Sequence, residues 1–397
     1  MNGPDPSMPS DFGLGRARGL MSLGLAAVSI AIGGCATVVQ RVPFTASEQA
    51  AAAPVGFGRV RYAQDDPALA VLMERALKPN ARGEVSALAL SGGGANGAYG
   101  AGLIYGWART GERPEFQIVT GVSTGALAAP FAFLGPAWDE QLRRAYFSDE
   151  IHHLLQSRGL LGLFGAGFYR KSPLEDLVRR YATDDLIRAV AAEHARGRRL
   201  LVATTNLDTE QLIVWDMGAI AAQGGPEARN LFAEVLIASA SVPGVFPPTM
   251  IGVEAGGRRF AEMHVDGQAE GPFFAITESL LLRRLADPRF RPRLFIIVNG
   301  PRESQFAVTD HAIIPILRRT VDTTSKASIR LALTTALDFC VHNGCDLRVS
   351  DLPTTEKNDV LDFGAGHIQS LFDAGQTAIT TGQAWTSASQ PLSPPTD

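Results

Sequence analysis

The sequence has few of the residues that build metal centres, and it has almost no excess of charge. Its 397 residues include three cysteines and seven histidines, and no cluster of histidines accompanies the cysteines. A loop of oxygen ligands for calcium is also missing. We therefore expect no metal and no cofactor. The formal net charge of −4 indicates no basic surface for nucleic acid, and we set that class of partner aside.

Long apolar runs are scarce as well. The stretch Leu20–Gly34 spans 15 uncharged residues, whereas a membrane-spanning helix needs about 20. A composition of 46% hydrophobic and 19% charged residues is typical of a globular protein. The chain is long enough for one large α/β domain or two smaller ones.

Two glycine-rich turns organise the sequence. The first, Gly92–Gly94, follows the short apolar run 85–90, and the second, Gly121–Gly125, follows the run 116–120. Both runs have the length and composition of buried strands, and residues 98–110 between the turns have the pattern of a helix. Together they predict one βαβ unit. Because ligands bind at the carboxyl ends of such strands, we expect both turns to face one site.

The second turn has the pattern Gly-x-Ser-x-Gly, which exposes Ser123 between a strand and a helix. Its glycines permit the strained backbone and close packing that such a turn requires. The helix that begins after Ser123 points unpaired N–H groups towards it, and the first turn can add more. Such donors form an oxyanion hole, so the pair of turns indicates acyl transfer. The expected N–H donors are Gly92, Gly93, Gly94 and Thr124.

A serine nucleophile needs a base, and the residues alone leave two schemes open. In one scheme a histidine accepts the proton, and the chain order of a hydrolase triad would use His367 with Asp338 or Asp362. In the other scheme a carboxylate accepts the proton directly.

Four motifs in order resemble those of the patatin-like phospholipases. They are the run Gly92–Gly94, the turn Gly121–Gly125, the Ala-Ser-x-x-x-Pro-x-x-Phe-Pro segment at 238–247, and Asp266-Gly267. The resemblance implies that Ser123 is the nucleophile, that Asp266 is the general base and that the glycine run forms the oxyanion hole. It also implies a three-layer α/β/α fold with a mainly parallel central sheet.

The resemblance further implies that the substrate is a phospholipid or another lipid with an acyl ester. Two other functions stay open. One is a lipid-binding envelope lipoprotein with little turnover, and the other is an acyltransferase or thioesterase that uses the same two residues. The chain departs from the family pattern at Ser91, Asn96 and Gln268, where aspartate, a basic residue and a small residue are usual.

The N-terminal sequence resembles the signal peptide of bacterial lipoproteins. Arg16 and Arg18 precede the apolar stretch 20–34, which ends in small residues directly before Cys35. In those lipoproteins this cysteine is lipidated, and several acyl chains give stable anchoring in a membrane. Ala36, where aspartate would retain the protein at the inner membrane, favours the outer membrane, facing the periplasm or the cell surface. A buried helix that ends in an ordinary cysteine is the alternative.

The other two cysteines, Cys340 and Cys345, flank the turn signal Asn343-Gly344. In an exported chain this spacing predicts a disulfide, with two reduced cysteines at a hairpin as the alternative.

The motifs divide the chain into four predicted parts. They are a signal peptide (1–34), a tether with a peripheral helix (35–83), a hydrolase domain (84–386) and a disordered tail (387–397). Within the domain the patterns predict a hairpin of residues 199–205 and 211–216, a buried strand at 293–299, and helices at 231–241, 311–339 and 366–385.

Overall fold

A computed structural model describes residues 41–80, 82–155, 168–276, 280 and 291–387 of the chain. The predicted signal peptide, Cys35 and the tail beyond Ser387 lie outside the described residues.

The described strands, in chain order, are β1 (Ala53–Pro54), β2 (Arg61–Ala63), β3 (Ser86–Leu90), β4 (Ile118–Val122), β5 (Arg199–Asn206), β6 (Gln211–Asp216), β7 (Thr249–Ala255), β8 (Arg258–Asp266), β9 (Arg293–Val298), β10 (Asp346–Asp351) and β11 (Thr386–Ser387).

The described α-helices are α1 (Ala46–Ala51), α2 (Pro67–Ala76), α3 (Gly97–Thr110), α4 (Thr124–Leu134), α5 (Asp139–Tyr146), α6 (Asp149–His152), α7 (Ser172–Tyr181), α8 (Asp184–Ala195), α9 (Met217–Gln223), α10 (Gly225–Ser239), α11 (Ile313–Asn343) and α12 (Ala365–Thr380). Among them, none combines the length and the apolar character that crossing a membrane requires.

All of the described strands join one sheet, and its centre is parallel. Strands β5, β4, β3, β9 and β10 lie side by side in that order, and each neighbouring pair is parallel. The strands outside this centre pair antiparallel. The predictions of an α/β fold with a parallel central sheet and of the βαβ unit β3–α3–β4 are therefore confirmed.

Helices cover both faces of the sheet. Consecutive side chains of a strand point to opposite faces. In β9, Phe295 and Ile297 join an apolar cluster that includes Leu103 of α3. Leu294 and Ile296 join a second cluster, together with residues of α11. The sheet thus lies between two helical layers, in the three-layer arrangement that the motifs imply.

The segment expected to be a tether contributes to the core. Its strands β1 and β2 pair with β7 and β6. In α2, Leu69, Met73 and Ala76 are buried against the sheet because their spacing places them on one helical face. This corrects the expectation of a tether for residues 53–63, and the expected peripheral helix is packed against the sheet.

The turn signal Asn343-Gly344 ends a helix instead of joining two strands. Helix α11 continues to Asn343, and Gly344 follows in the left-handed conformation that commonly ends helices. Cys340 in the last helical turn forms a disulfide with Cys345, which lies directly before β10.

One edge of β5 brings two distant parts of the chain together. β4 pairs with this edge up to Val122, opposite Ala203, and β8 takes over at the next residue, where Asp266 pairs with Thr204. The other edge of β5 pairs with β6. The end of β4 and the end of β8 therefore meet at consecutive positions of β5.

A buried polar network links side chains of β2, β8 and β5. Arg61 forms a two-pronged ion pair with Glu262, whose second contact joins Nη2 to Oε1 at 2.9 Å. Glu262 also contacts Nε2 of His264 at 3.2 Å, and Nδ1 of His264 contacts Thr204 Oγ1 at 2.9 Å. Burial raises the pKa of Glu262, but His264 and Arg61 outweigh it and lower that pKa to about 2.

We expect Glu262→Ala to lower the free energy of unfolding by about 3–5 kcal/mol, because it leaves the buried Arg61 charge without a partner. In the same hairpin, Glu254→Ala removes only an exposed partner of Arg259 and should cost less than about 1 kcal/mol. Urea unfolding at pH 7 measures both changes, and equal small losses would contradict the expectation. Because the folded-state pKa of Glu262 lies below its usual value of 4.5, this contribution is present above that pH and lost as the pH falls towards 2.

Candidate active site

Ser123 lies in a strained turn between β4 and α4. Its φ is 56° and its ψ is −128°, and φ is positive at only one other non-glycine residue of the described chain. Such a conformation costs about 1–3 kcal/mol and persists only where the surroundings enforce it. Here the hydroxyl of Ser239 accepts the Ser123 N–H at 3.0 Å and donates to the carbonyl of Ala203 at 2.7 Å. Ser239 thus fixes the turn to β5, a role that the sequence motif did not reveal.

The two flanking glycines are required for close packing. A Cβ on Gly121 would lie 2.7 Å from Cα of Ala126, and a Cβ on Gly125 would lie 2.5 Å from the carbonyl oxygens of Leu90 and Ser91. Gly125 therefore brings the Ser123 turn directly against the end of β3. The glycine loop, Gly92–Gly94, begins there.

The glycine loop offers fewer free donors than the sequence predicts. The N–H of Gly92 donates to the carbonyl of Pro272 at 3.0 Å. This corrects the expectation that Gly92 is an oxyanion donor, because its N–H is already used. No acceptor within the described residues takes the N–H groups of Gly93, Gly94 or Thr124.

Asn299, at the end of β9, holds the glycine loop in place. Its side chain donates to the carbonyl of Ser91 at 2.8 Å and accepts the N–H of Gly100 at 3.0 Å. Its own N–H donates to Ser91 Oγ at 2.7 Å. A Cβ on Gly93 would lie 2.7 Å from Cβ of Asn299, so the loop needs glycine there. The sequence predicted the strand but gave no signal for this role.

Asp266 is the last residue of β8. It pairs with Thr204 of β5, which directly follows Ala203, the last residue of β5 that pairs with β4. It is buried, and its Oδ1 accepts the N–H of Gln268 at 2.8 Å. Burial raises its pKa to about 7, although the Ser123 hydroxyl and the Gln268 N–H act in the opposite direction. Within the described chain, no group meets hydrogen-bond geometry with Oδ2. The site therefore contains a carboxyl group with an unsatisfied oxygen near Ser123.

Gln268 and Asn96, two departures from the family pattern, both lie at this site. A Cβ on Gly92 would lie 3.0 Å from Cδ of Gln268 and 3.0 Å from Cβ of Ser123, so the Gln268 amide borders the serine. Its Nε2 donates to Ser325 of α11 at 3.3 Å. Asn96 is buried and donates to Asn358 at 2.6 Å.

An apolar cavity opens at Ser123. Its volume is about 980 Å³, including the space at its open mouth. Aliphatic and aromatic side chains of α4, α5, α7 and the 238–247 segment line it, among them Leu127, Phe131, Leu142, Leu177 and Phe246. Tyr146 lies on the same wall and contacts Thr124 Oγ1 at 3.0 Å, and burial raises its pKa to about 12.

The residues of the alternative triad lie differently. No hydrogen bond within the described residues joins His367 to Ser123, and Nε2 of His367 is buried without a partner there. Asp362 instead contacts Lys357 at 2.7 Å, and the carbonyl of Asp338 accepts from His342. Across the described residues, no group of three or more histidine, cysteine, aspartate or glutamate side chains could hold a metal ion.

Ser123, Asp266 and the glycine loop lie in a part of the chain that matches a known family model. The family model of the patatin-like phospholipases matches residues 88–269, which contain all four motifs. A comparison with curated proteins found no match. Among solved structures, VipD from Legionella pneumophila matches with 13% identity and a TM-score of 0.37, over 75% of this chain and 70% of that chain. The chain is thus similar to the patatin-like phospholipases over residues 88–269, which is slightly less than half of its length.

Proposed function

We propose that the protein is a lipid acyl hydrolase in which Ser123 and Asp266 form a catalytic dyad. The observation that carries the proposal is the burial of Asp266, with one unsatisfied carboxylate oxygen, beside the strained Ser123 turn. A binding protein has no need for this combination, since both features destabilise the fold.

In the first step, Ser123 Oγ attacks the acyl carbonyl while Asp266 accepts the hydroxyl proton. A carboxylate near its reference pKa of about 3.9 is a weak base at neutral pH. Burial makes Asp266 a stronger base, because the protein solvates its charged form less well than water does. A carboxyl group whose pKa lies near the operating pH can both accept a proton and donate it in the next step.

The negative charge that develops on the carbonyl oxygen needs fixed donors. The N–H groups of Gly93, Gly94 and Thr124, which no acceptor in the described part of the chain takes, are suited to this role. Backbone donors of this kind stabilise the oxyanion because they are already oriented before the reaction. Asn299 keeps the loop in this orientation.

The attack of Ser123 forms a tetrahedral intermediate. Its collapse breaks the bond to the leaving alcohol, and Asp266 returns its proton to that alcohol oxygen. The acyl group is then esterified to Ser123. Water attacks this ester with Asp266 again as the base, and the fatty acid leaves while Ser123 recovers its proton. The apolar cavity at Ser123 would hold the acyl chain, and its lining favours a hydrocarbon over a polar group.

We expect Ser123→Ala and Asp266→Asn each to remove nearly all turnover, with losses of about 10²–10⁴-fold or more. Asn is the matched change, because its Oδ1 can still accept the Gln268 N–H. Product analysis on a panel of phospholipids and neutral lipids measures turnover, and a fluorophosphonate probe reports the nucleophile directly.

His367→Ala is the control and should keep wild-type turnover. Retained activity in Asp266→Asn, together with loss in His367→Ala, would replace the dyad with a triad. A folded wild-type protein that neither labels nor turns over would favour the lipid-binding lipoprotein. Transfer of the acyl group to an acceptor other than water, or preference for a thioester, would favour the acyltransferase or thioesterase.

The pH profile gives an independent check. Because the carboxylate form of Asp266 is the base, kcat/KM on a soluble ester should rise with pH and level off above an apparent pKa of about 7. A fall of kcat/KM at low pH with an apparent pKa near 3.8, the ordinary pKa of aspartate, would contradict this role. The folded pKa is raised, so ionisation of Asp266 destabilises the fold as pH rises through 7. At pH 8, Asp266→Asn should therefore melt at or above the temperature of the wild type.

We also propose that Cys35 is lipidated and anchors the protein in the outer membrane. The support is the sequence pattern of basic residues, apolar stretch and small residues before Cys35. The wild-type protein should fractionate with membranes and have the intact mass of a lipidated chain that begins at Cys35. Cys35→Ser should lose the lipid mass. A soluble wild-type protein that retains residues 1–34 would contradict the proposal.

A further inference from the structure

Helix α11 has two apolar faces, and the core uses only one. Its C-terminal half buries Ile329, Leu333, Ala336 and Cys340 against the sheet. These residues recur every three or four positions, as expected for one face of a helix. This face accounts for how α11 is attached to the domain.

The N-terminal half of α11 carries a second apolar stripe, on the opposite side. Ile313, Leu317 and Val321 follow one another at intervals of four residues, and all are exposed. At about 100° per residue, this stripe lies roughly opposite the buried one. The loop before the helix adds Phe306 and Val308, which are 96% and 87% exposed. Five large apolar side chains thus face solvent in one short part of the chain.

We propose that this exposed face docks on the surface of a lipid bilayer and holds the enzyme there while Ser123 acts on its lipids. It comprises Phe306, Val308, Ile313, Ile316, Leu317 and Val321. The inference rests on the proposed function for the identity of the substrate, but the docking itself does not require turnover.

The charges of the helix favour a lipid surface. Residues 313–331 include four basic residues and one acidic residue, in a chain whose net charge is −4. Lys326 is buried and pairs with the acidic residue, Asp322, at 3.0 Å. The excess of positive charge therefore comes from three arginines, Arg318, Arg319 and Arg330. Helices that lie in a membrane interface combine an apolar stripe with basic residues in this way, and the basic residues attract anionic lipids.

The same helix also borders the catalytic site. Ser325, one helical turn after Val321, accepts the hydrogen bond from Gln268, whose amide lies beside Gly92 and Ser123. The exposed face is therefore continuous with the wall of the site. A bilayer in contact with it would lie beside the part of the site that Gln268 forms.

The test compares two valines of α11 with nearly equal exposure. Val321 is 68% exposed within the proposed face, and Val341 is 71% exposed at the other end of the helix. Each is replaced by Glu in the full chain carrying Ser123→Ala, to prevent turnover, and Cys35→Ser, to remove the predicted lipid anchor. Binding to vesicles of phosphatidylethanolamine and phosphatidylglycerol is measured by flotation.

We expect Val321→Glu to weaken vesicle binding about tenfold or more. The substitution removes an apolar side chain that the bilayer would bury, and it adds a negative charge that anionic lipids repel. Val341→Glu should bind like its parent. With Ser123 restored, both variants should hydrolyse a soluble short-chain ester at the wild-type rate, whereas Val321→Glu should be slower on vesicles.

Equal vesicle binding by the two variants would overturn the proposal. A second result would also overturn it: sedimentation shows that the parent protein is a dimer, and Val321→Glu dissociates the dimer without changing vesicle binding. The exposed face would then join two copies of the chain. Failure of the proposed function gives a different result. In that case the soluble ester is not hydrolysed, yet the difference in vesicle binding between the valine variants persists.

Discussion

The site depends on a change of partner along one edge of β5. Where β4 ends, β8 begins to pair, so that the Ser123 turn and Asp266 follow one another on the same edge. Two segments more than a hundred residues apart in sequence thereby meet within a rigid sheet. The backbone hydrogen bonds of β5 position both groups, and neither side chain needs a flexible loop to reach the other. This kind of placement on rigid elements preserves catalytic geometry.

The same arrangement creates free-energy costs that the rest of the fold offsets. Ser123 has an unfavourable backbone conformation, and Asp266 is a buried acid for which the described part of the chain supplies no counter-charge. Nearby, Glu262 is equally buried but lies against Arg61, and its pKa falls to about 2. The two acids lie four residues apart on β8. Their pKa values shift in opposite directions because His264 and Arg61 contact Glu262, whereas no basic group among the described residues acts on Asp266. We infer that the first stabilises the sheet and the second is kept reactive.

Local patterns were sufficient to predict the centre of the fold. The strands before each glycine turn, the βαβ unit and the hairpin of β5 and β6 follow from short apolar runs and turn residues. The sequence could not show that Gly92 donates to Pro272, because that bond joins parts of the chain 180 residues apart. The same limit applies to Asn299 and to the buried side of α2. The dipeptide Asn343-Gly344 is a turn signal both between strands and after helices, and only the packing of α11 distinguishes the two.

The departures from the family pattern acquire a physical meaning once the contacts are known. The Gly92 N–H is used by Pro272, and the side chain of Gln268 occupies the space next to it. A smaller residue at 268 would open that space and would also remove the bond to Ser325. Gln268 therefore contacts both the surroundings of the Ser123 turn and α11, and α11 carries the exposed apolar face. Gln268, one of the three departures from the family pattern, is thus the residue through which α11 contacts the surroundings of Ser123.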